Sequence, residues 1–348
     1  GVPDLTWEKV TKTNLGFDIG LLANSITLSV DLFKERRSDI FMKRTNVPAE
    51  AGFINAAWSN FGKVDNSGVD MSLNFRRRFG KDWEVSALAN FTYAHNKIVE
   101  IDEADAVKGT YRSKTGRPVS QLFGLVAERL FTKDDFEADG KLKQGIATQR
   151  YSAESSLRPG DIKYRDLNND GEINDLDQTA IGGTIDPQLV YGFGATLRYK
   201  MFDFGLFFSG VGKTHRILGG ETWLPASSIG AGNIWSNIDS RWTEANPRQD
   251  VFWPRMSTTT YKNNEQPSTW WLKDMSFLRL KNIEVGVTLP EQWTHAAKIR
   301  ECRIFLRGNN ILTFSKFKMW DPEIGSNDGL KYPVMKSVSL GVSFNFNN

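Results

Sequence analysis

The chain has 348 residues, with 44 basic and 41 acidic side chains and a formal net charge of +3. This near balance, without a basic run, argues against a nucleic-acid partner. Cys302 is the only cysteine, so an intrachain disulfide is excluded. No stretch approaches the roughly 20 apolar residues of a membrane helix. The first ten residues do not have the pattern of a signal peptide.

Strict alternation of apolar and polar residues recurs along the chain. A period of two indicates strands with one apolar and one polar face, so these segments predict nine strands. In chain order, the apolar rows run through 15–21, 26–32, 69–75, 85–93, 189–199, 202–208, 283–289, 304–306 and 338–346.

The predicted connections alternate in length. Short turns are predicted at 23–24, 80–82 and 201–203, with a modest one at 290–302, and long connections at 33–67, 100–186, 213–274 and 317–333. Long structureless loops are uncommon in compact soluble domains. Short turns on one edge and long extracellular loops on the other are typical of outer-membrane barrels, in which the apolar rows face lipid and the polar rows face the lumen. A soluble β-sandwich is the alternative.

The predicted fold is therefore all-β, a transmembrane antiparallel β-barrel. Residues 120–131 also resemble a strand, but counting them as membrane-spanning breaks the alternation, so we place them inside outer loop 100–186. Nine strands is an odd number, whereas bacterial single-chain barrels have even counts and an open edge is costly in lipid. We therefore expect residues 1–348 to be the C-terminal part of a larger barrel. The polar-x-Gly-x-x-aromatic-x-aromatic pattern of 339–346 is typical of a terminal strand.

Several long motifs, in order, carry a resemblance to a known family. They are "PDLTWEKVTKTNLGFDIGLLANSITLSVDLF", "GDIKYRDLNNDGEINDLDQTAIGG", "RWTEANPRQDVFWPR", "FLRLKNIEVGVTLP", "RGNNILTFSKFKMWDPE" and "YPVMKSVSLGVSFNF". On these motifs the chain resembles the SusC/RagA-type TonB-dependent outer-membrane transporters along essentially its whole length.

The resemblance implies a barrel of about 22 strands in the bacterial outer membrane. It also implies an N-terminal plug, a segment that contacts the TonB complex and a SusD-like surface lipoprotein. We expect the plug domain and signal peptide to be absent from residues 1–348. The implied partners are the N-terminal remainder of the transporter, the lipoprotein, TonB and outer-membrane lipid. The implied activity is energised import of a large nutrient.

Within outer loop 100–186, residues 166–177 have the spacing of a calcium loop. The expected ligands are Asp166, Asn168, Asp170, the carbonyl of Glu172 and Asp177, at positions 1, 3, 5, 7 and 12, with Gly171 permitting the turn. Calcium takes six to eight oxygen ligands, and this spacing supplies several from one segment. The flanks are poor helix formers, so we expect the ion to tie a long loop. The alternative is a turn rich in Asp and Asn that caps itself.

Aromatic residues are frequent in the predicted outer loops. Trp58, Trp235, Trp242 and Trp320 are candidates for stacking on sugars, although tryptophan also forms the interface belts of barrels. The predicted substrate is a glycan oligosaccharide, with an oligopeptide as the alternative. A calcium-dependent surface-binding barrel protein is the third hypothesis.

No catalytic site is evident. His95, His215 and His295 show no metal-ligand spacing, and Cys302 has no apparent base partner. Pairs of Asp and Glu occur in the loops, but a glycosidase pair is defined by the distance between its carboxyl groups, not by sequence spacing. The sequence therefore predicts a protein that is not an enzyme.

Overall fold

The computed structural model describes residues 5–44, 58–220, 223, 234–257, 262–294 and 298–346. Within these residues lie 17 strands, one short α-helix, α1 (Glu291–Thr294), and several 3-10 turns. The strands are β1 (Lys9–Leu21), β2 (Ile26–Lys43), β3 (Trp58–Phe79), β4 (Trp83–Glu100), β5 (Gln121–Gly124), β6 (Ala127–Leu130), β7 (Thr148–Gln149), β8 (Ile162–Tyr164), β9 (Glu172–Ile173), β10 (Thr179–Thr184), β11 (Leu189–Tyr199), β12 (Phe202–Gly212), β13 (His215–Ile217), β14 (Leu272–Asp274), β15 (Phe277–Leu289), β16 (Ile299–Ser315) and β17 (Ser337–Phe346).

Nine of the described strands form one sheet, in the order β1-β2-β3-β4-β11-β12-β15-β16-β17. Every neighbouring pair is antiparallel. These are the nine strands that the alternation predicts. The sheet is open in the described residues, with β1 and β17 at its edges.

The register aligns the apolar rows across the sheet. Leu15 pairs with Leu32, which pairs with Val69, which pairs with Tyr93. Successive side chains of a strand point to opposite faces, so this alignment gathers the apolar residues on one face. Large apolar side chains on this face are exposed, as for Leu15 at 55% and Phe17 at 50%. An apolar face open to its surroundings suits lipid rather than water.

The opposite face of the sheet is polar. Ser29 donates to Asp18 at 2.5 Å, and Thr92 donates to Asp70 at 2.9 Å. Near the turn that joins β11 to β12, Arg303 donates to Asp203 at 3.0 Å and also contacts Glu284. Such cross-strand pairs stabilise a sheet by roughly 0.2–1 kcal/mol each, and their polarity suits a wet lumen.

Two predicted connections are too long, since β16 already begins at Ile299, inside the turn predicted at 290–302. Residues 33–43 and 58–67 were expected in a long connection, but β2 and β3 extend through them, with lengths of 18 and 22 residues. The physical reason lies in the outward face, which changes from apolar to charged beyond Leu32. Arg36 and Asp65 pair there across the strands at 2.8 Å. The strands continue where the hydrophobic alternation stops.

The remaining strands lie in the long connections 101–188 and 213–276. They form four two-stranded sheets, β10-β5, β13-β14, β6-β8 and β7-β9. Residues 121–124 and 127–130, which fall within the predicted 120–131 segment, lie outside the nine-stranded sheet. The connections therefore form a folded body of their own.

Among the described residues, no helix is long and apolar enough to cross a membrane.

Candidate functional site

The long connections 101–188, 213–276 and 316–336 pack together into what we call the loop body. Backbone pairing joins the first two, since the Leu125 amide donates to the Pro267 carbonyl at 2.8 Å. All three connections contribute to a large hydrophobic core, built in the described residues from Leu125, Leu130, Ile162, Tyr164, Ile173, Leu218, Trp223, Trp242, Val251, Trp253, Trp271, Met275 and Phe317. Three of these tryptophans, Trp223, Trp253 and Trp271, are almost fully buried.

The segment Gly160–Asp161 meets the segment Trp242–Arg255 inside the loop body. Arg255 donates to the fully buried carboxylate of Asp161 at 2.8 and 3.0 Å. Asn264 donates to the same carboxylate at 3.0 Å. The ring of Trp242 lies so close to Gly160 that an added Cβ would come within 2.3 Å of it. The two segments therefore fix the first long connection against the second.

The third long connection is fixed to the sheet by charge. Arg279 of β15 is almost fully buried and pairs with Asp321, and its Nε lies 3.0 Å from Glu323. Lys281 adds a contact of 2.7 Å to Glu323. A buried charge is tolerated when it is paired in this way, so residues 321–323 are held against the wall of the sheet.

Residues 166–177 fold into a compact turn. The Asp166 carboxylate accepts from the amides of Asn169 and Gly171 at 2.7 and 2.9 Å. Asp170 accepts from the Glu172 amide at 2.8 Å. The Glu172 side chain forms an ion pair with Arg150. The backbone carbonyl of Glu172 is the atom expected to bind a metal ion. These are the contacts of a tight turn, and a carboxylate retains further lone pairs for a cation.

Asp177, at position 12 of this segment, is fully buried. Its two oxygens accept from the amides of Leu167 and Asn174 at 2.8 and 2.9 Å, so it joins both ends of the turn. In the described part of the chain, no three or more His, Cys, Asp or Glu side chains are grouped so as to hold a metal ion. The calcium assignment, which also uses Asn168 and a backbone carbonyl, stays a prediction.

A cleft of about 580 Å³, here called the wall cleft, lies on the polar face of β1 to β4 beneath residues 119–120 and 184–188. Glu35, Arg37, Lys63 and Glu100 bring both signs of charge to it, and Asn66 and Asn96 bring amides. Lys63 pairs with Glu100 at 2.6 Å, and Glu35 with Lys12 at 2.8 Å. The cleft thus offers donors and acceptors beside a largely apolar lining.

A second cleft of about 770 Å³, the loop cleft, lies where all three long connections converge. Arg216, Glu265, Asp328 and Lys331 contribute charges of both signs to its lining. Arg216 donates to Asn327 at 3.3 Å. Burial opposes ionisation of Asp328, but hydrogen bonds from Ser326 and the Leu330 amide outweigh it and lower the pKa of Asp328. The loop cleft therefore keeps a carboxylate charged at neutral pH.

The sequence of the chain matches a known protein family. The family model described as "TonB dependent receptor-like, beta-barrel" matches residues 1–311. The chain belongs to this family of TonB-dependent receptor β-barrels. Its apolar face therefore meets the lipid of the bacterial outer membrane, and the family consists of receptors and transporters rather than enzymes.

The chain is similar to several curated members of the family. TonB-dependent receptor P3 of Formosa agariphila is 28% identical over 99% of this chain and 34% of its own length. TonB-dependent receptor SusC of Bacteroides thetaiotaomicron is 24% identical over 99% of this chain and 32% of its own length. The chain thus spans about a third of the length of these relatives.

Among solved structures, the RagAB peptide importer in the open-open state superposes with a TM-score of 0.74. The two sequences are 23% identical, and the match covers 99% of this chain and 35% of the importer chain. The closed-closed state gives a TM-score of 0.71. At this identity the likeness shows the fold, which confirms the SusC/RagA-type resemblance of the sequence.

None of the four tryptophans proposed to stack on sugars lines either cleft. Trp242 is buried against Gly160. Trp235 and Trp320 pack on the tryptophan core, each about 5.5 Å from Trp223 (5.3 and 5.6 Å between ring centroids). Trp58 is exposed at the end of β3 and stacks on Phe41 at 5.2 Å. A substrate role for these four stays a prediction.

The histidines and the cysteine lie apart in the fold. His95 is exposed on β4, His215 lies in β13, and Cys302 is buried on β16, paired across strands with Leu289 and Phe344. His295 lies outside the described residues. Sequence reasoning missed the wall cleft, whose charges fall in the part of β2 and β3 that was expected to be a loop. Residues 34–37 are all charged, so no alternation of apolar and polar residues marks this part of the strand in the sequence.

Proposed function

We propose that this chain forms part of the wall and mouth of a TonB-dependent importer of a large nutrient. The observation that carries the proposal is the combination of nine membrane strands of this family with a folded loop body whose clefts open beside the polar face. A barrel wall without binding clefts would be sufficient for a passive pore. Preformed clefts at the extracellular mouth are expected of a transporter that binds a scarce solute before importing it.

The partners follow from the sheet and the family. The edges of β1 and β17 expose unpaired backbone groups, which are costly in lipid, so further strands are needed to close the wall. We propose that the N-terminal remainder supplies these strands, to a total of about 22, together with a plug and the segment that contacts TonB. We also propose a SusD-like lipoprotein over the mouth, on the precedent of SusC-type relatives.

For the substrate we place an oligopeptide first. The wall cleft and the loop cleft each present cations beside anions, which suits a chain that carries an ammonium group, a carboxylate and charged side chains. The proposed tryptophan platforms contribute to neither cleft. A glycan oligosaccharide is the second candidate, supported by the polar amides of Asn66 and Asn96, which can bind hydroxyl groups.

The test uses the full-length transporter in its native cell. A deletion strain should lose uptake of a labelled oligopeptide mixture, and the intact gene should restore it. The double variant Arg216→Gln/Lys331→Gln should lower uptake of peptides several-fold. The matched control, Arg248→Gln/Lys143→Gln, removes two exposed charges elsewhere on the loop body and should leave uptake unchanged.

Two other outcomes distinguish the alternatives. Loss of glycan uptake alone in the deletion strain would establish the second candidate. Calcium-dependent surface binding that persists without TonB, with no uptake of either class, would indicate a surface-binding barrel protein instead.

A further inference from the structure

The outward face of β1 to β4 changes character at one level. The apolar row of Leu15, Leu32, Val69 and Tyr93 runs straight across the four strands. The next outward row consists of Thr13, Lys34, Ser67 and His95, and the row above it of Thr11, Arg36, Asp65 and Lys97. Two polar, cation-rich rows therefore stand directly above the lipid-facing band.

The charges of these two rows do not cancel. Arg36 is paired with Asp65 through two hydrogen bonds of 2.8 Å. Lys34 and Lys97 flank the same carboxylate closely enough to interact with it electrostatically, and both side chains are exposed. Asp65 is the only carboxylate in the two rows, which leaves about two positive charges in excess.

Among the described residues, the neighbouring elements do not supply the missing negative charge. On the β1 side, Lys9 is exposed and is itself paired with Asp39 at 2.9 Å. On the β12 side, Lys213 lies over the ring of Tyr93, 4.5 Å from its centroid. Tyr93 belongs to the top apolar row, so Lys213 adds a further cation at the same level.

The level of these rows identifies what they face. Short turns mark the periplasmic edge of such barrels and long loops the extracellular edge. The rows lie on the long-loop side of the apolar band, at the height where the head groups of outer-leaflet lipids begin. Strands lie about 5 Å apart and alternate residues about 7 Å apart. The patch thus measures roughly 15 by 7 Å, the size of a phosphorylated head group.

We propose that Lys34, Lys97 and the hydroxyl of Ser67, which lies between them, bind the phosphate group of an anionic lipid in the outer leaflet. Phosphate oxygens accept hydrogen bonds from ammonium and hydroxyl groups. The acyl chains of the same lipid would lie against Leu15, Leu32 and Val69 below. One lipid molecule thus contacts the charged rows with its phosphate and the apolar row with its acyl chains. This inference rests on the outer-membrane placement of the sheet, and it does not depend on what the transporter imports.

The experiment measures lipid binding by the assembled full-length transporter. Detergent-solubilised protein is titrated with phosphatidylcholine vesicles containing 20% phosphatidic acid, at about 50 mM and about 300 mM salt. The variant Lys34→Gln/Lys97→Gln removes the two unpaired cations. Since each lysine near an anionic surface contributes roughly 1 kcal/mol, loss of both should weaken binding of the acidic vesicles roughly thirtyfold, and the difference should shrink at high salt.

The matched control is Lys81→Gln/Lys200→Gln, which removes two exposed lysines from the short turns β3–β4 and β11–β12, at the opposite edge of the sheet. The control should bind acidic vesicles like the wild type, and neutral vesicles should not distinguish the three proteins. Equal weakening of both variants would overturn the proposal. So would displacement of the lipid by about 10 mM inorganic phosphate, because the rows would then select a free anion rather than a membrane lipid.

Discussion

Arg255 holds the buried carboxylate of Asp161 across 94 residues of chain, at 2.8 Å from Nε and 3.0 Å from the terminal nitrogen. Asp161 has no solvent exposure, and Arg255 is the cation beside a carboxylate that also accepts from Asn264 and the Arg158 amide. The pair connects the two longest connections of the chain, and the stability of the loop body should depend on it.

We expect Arg255→Ala to destabilise the loop body by about 3–5 kcal/mol, because it leaves a carboxylate buried without its cation. Hydrogen exchange of the full-length transporter should show faster exchange at residues 158–164. Arg248→Ala is the control, since Arg248 is exposed and pairs only distantly with Asp250, at 3.5 Å. An unchanged rate of hydrogen exchange in the Arg255 variant would show that other contacts hold the two segments together.

Gly160→Ala should also loosen this junction. Gly160 has φ +90, a conformation that costs a residue with a side chain of order 1 kcal/mol or more, and the added Cβ would press on the Trp242 ring. Fluorescence of the loop tryptophans should shift to the red as Trp242 is displaced. Gly140→Ala is the control, because Gly140 has a similar φ of +84 but open space around it. A spectral shift of the same size in both variants would contradict the role of Trp242.

Acid should weaken the loop body through Asp135. Burial would raise the pKa of Asp135, but the hydrogen bonds from Arg129 and Thr132 outweigh it and lower the pKa from 3.8 to about 2. A lowered pKa stabilises the folded state fully above about pH 4, and this contribution of about 2 kcal/mol is lost as the pH falls towards about 2.

The measurement is limited proteolysis of wild type and Asp135→Asn between about pH 5 and pH 2.5, with an acid-stable protease. The difference in cleavage rate should be largest at pH 5 and should narrow in acid. Asp139→Asn, at an exposed ion pair, should match the wild type throughout. A difference between wild type and Asp135→Asn that is independent of pH would refute the titration argument.

Calcium should bind residues 166–177 with a Kd of roughly 10⁻⁴–10⁻³ M. Terbium can replace calcium as a probe, because Tyr151 donates to Asp175 at 2.9 Å and lies beside the turn. Asp170→Ala should reduce tyrosine-sensitised terbium emission at least tenfold, and Asp139→Asn should leave it unchanged. Emission that survives in Asp170→Ala, or that calcium does not compete away, would leave the turn as a self-capped structure.

The nine strands were predictable because lipid imposes a period of two wherever a strand faces it. Leu15, Leu32 and Val69 carry that signal on neighbouring strands. Beyond Leu32 both faces are wet, the alternation ends, and the extensions of β2 and β3 could not be recognised. The pairing of Asp161 with Arg255 has no local signal at all, because a contact across 94 residues is set by tertiary structure. The tryptophans of the loops were visible in the composition, but whether each packs or binds depended on that same tertiary structure.

The unequal strand lengths shape the entrance. At the level of Val69, β12 ends, whereas β3 continues for 11 more residues, from Trp58 to Gly68. With the usual tilt of barrel strands, this raises the crest at β2 and β3 by roughly 25 Å over the side formed by β11 and β12. The extracellular rim is therefore higher at β2 and β3 than at β11 and β12, and the loop body lies on the lower side. A cover for this opening must therefore fit the high ends of β2 and β3 on one side and the loop body on the other.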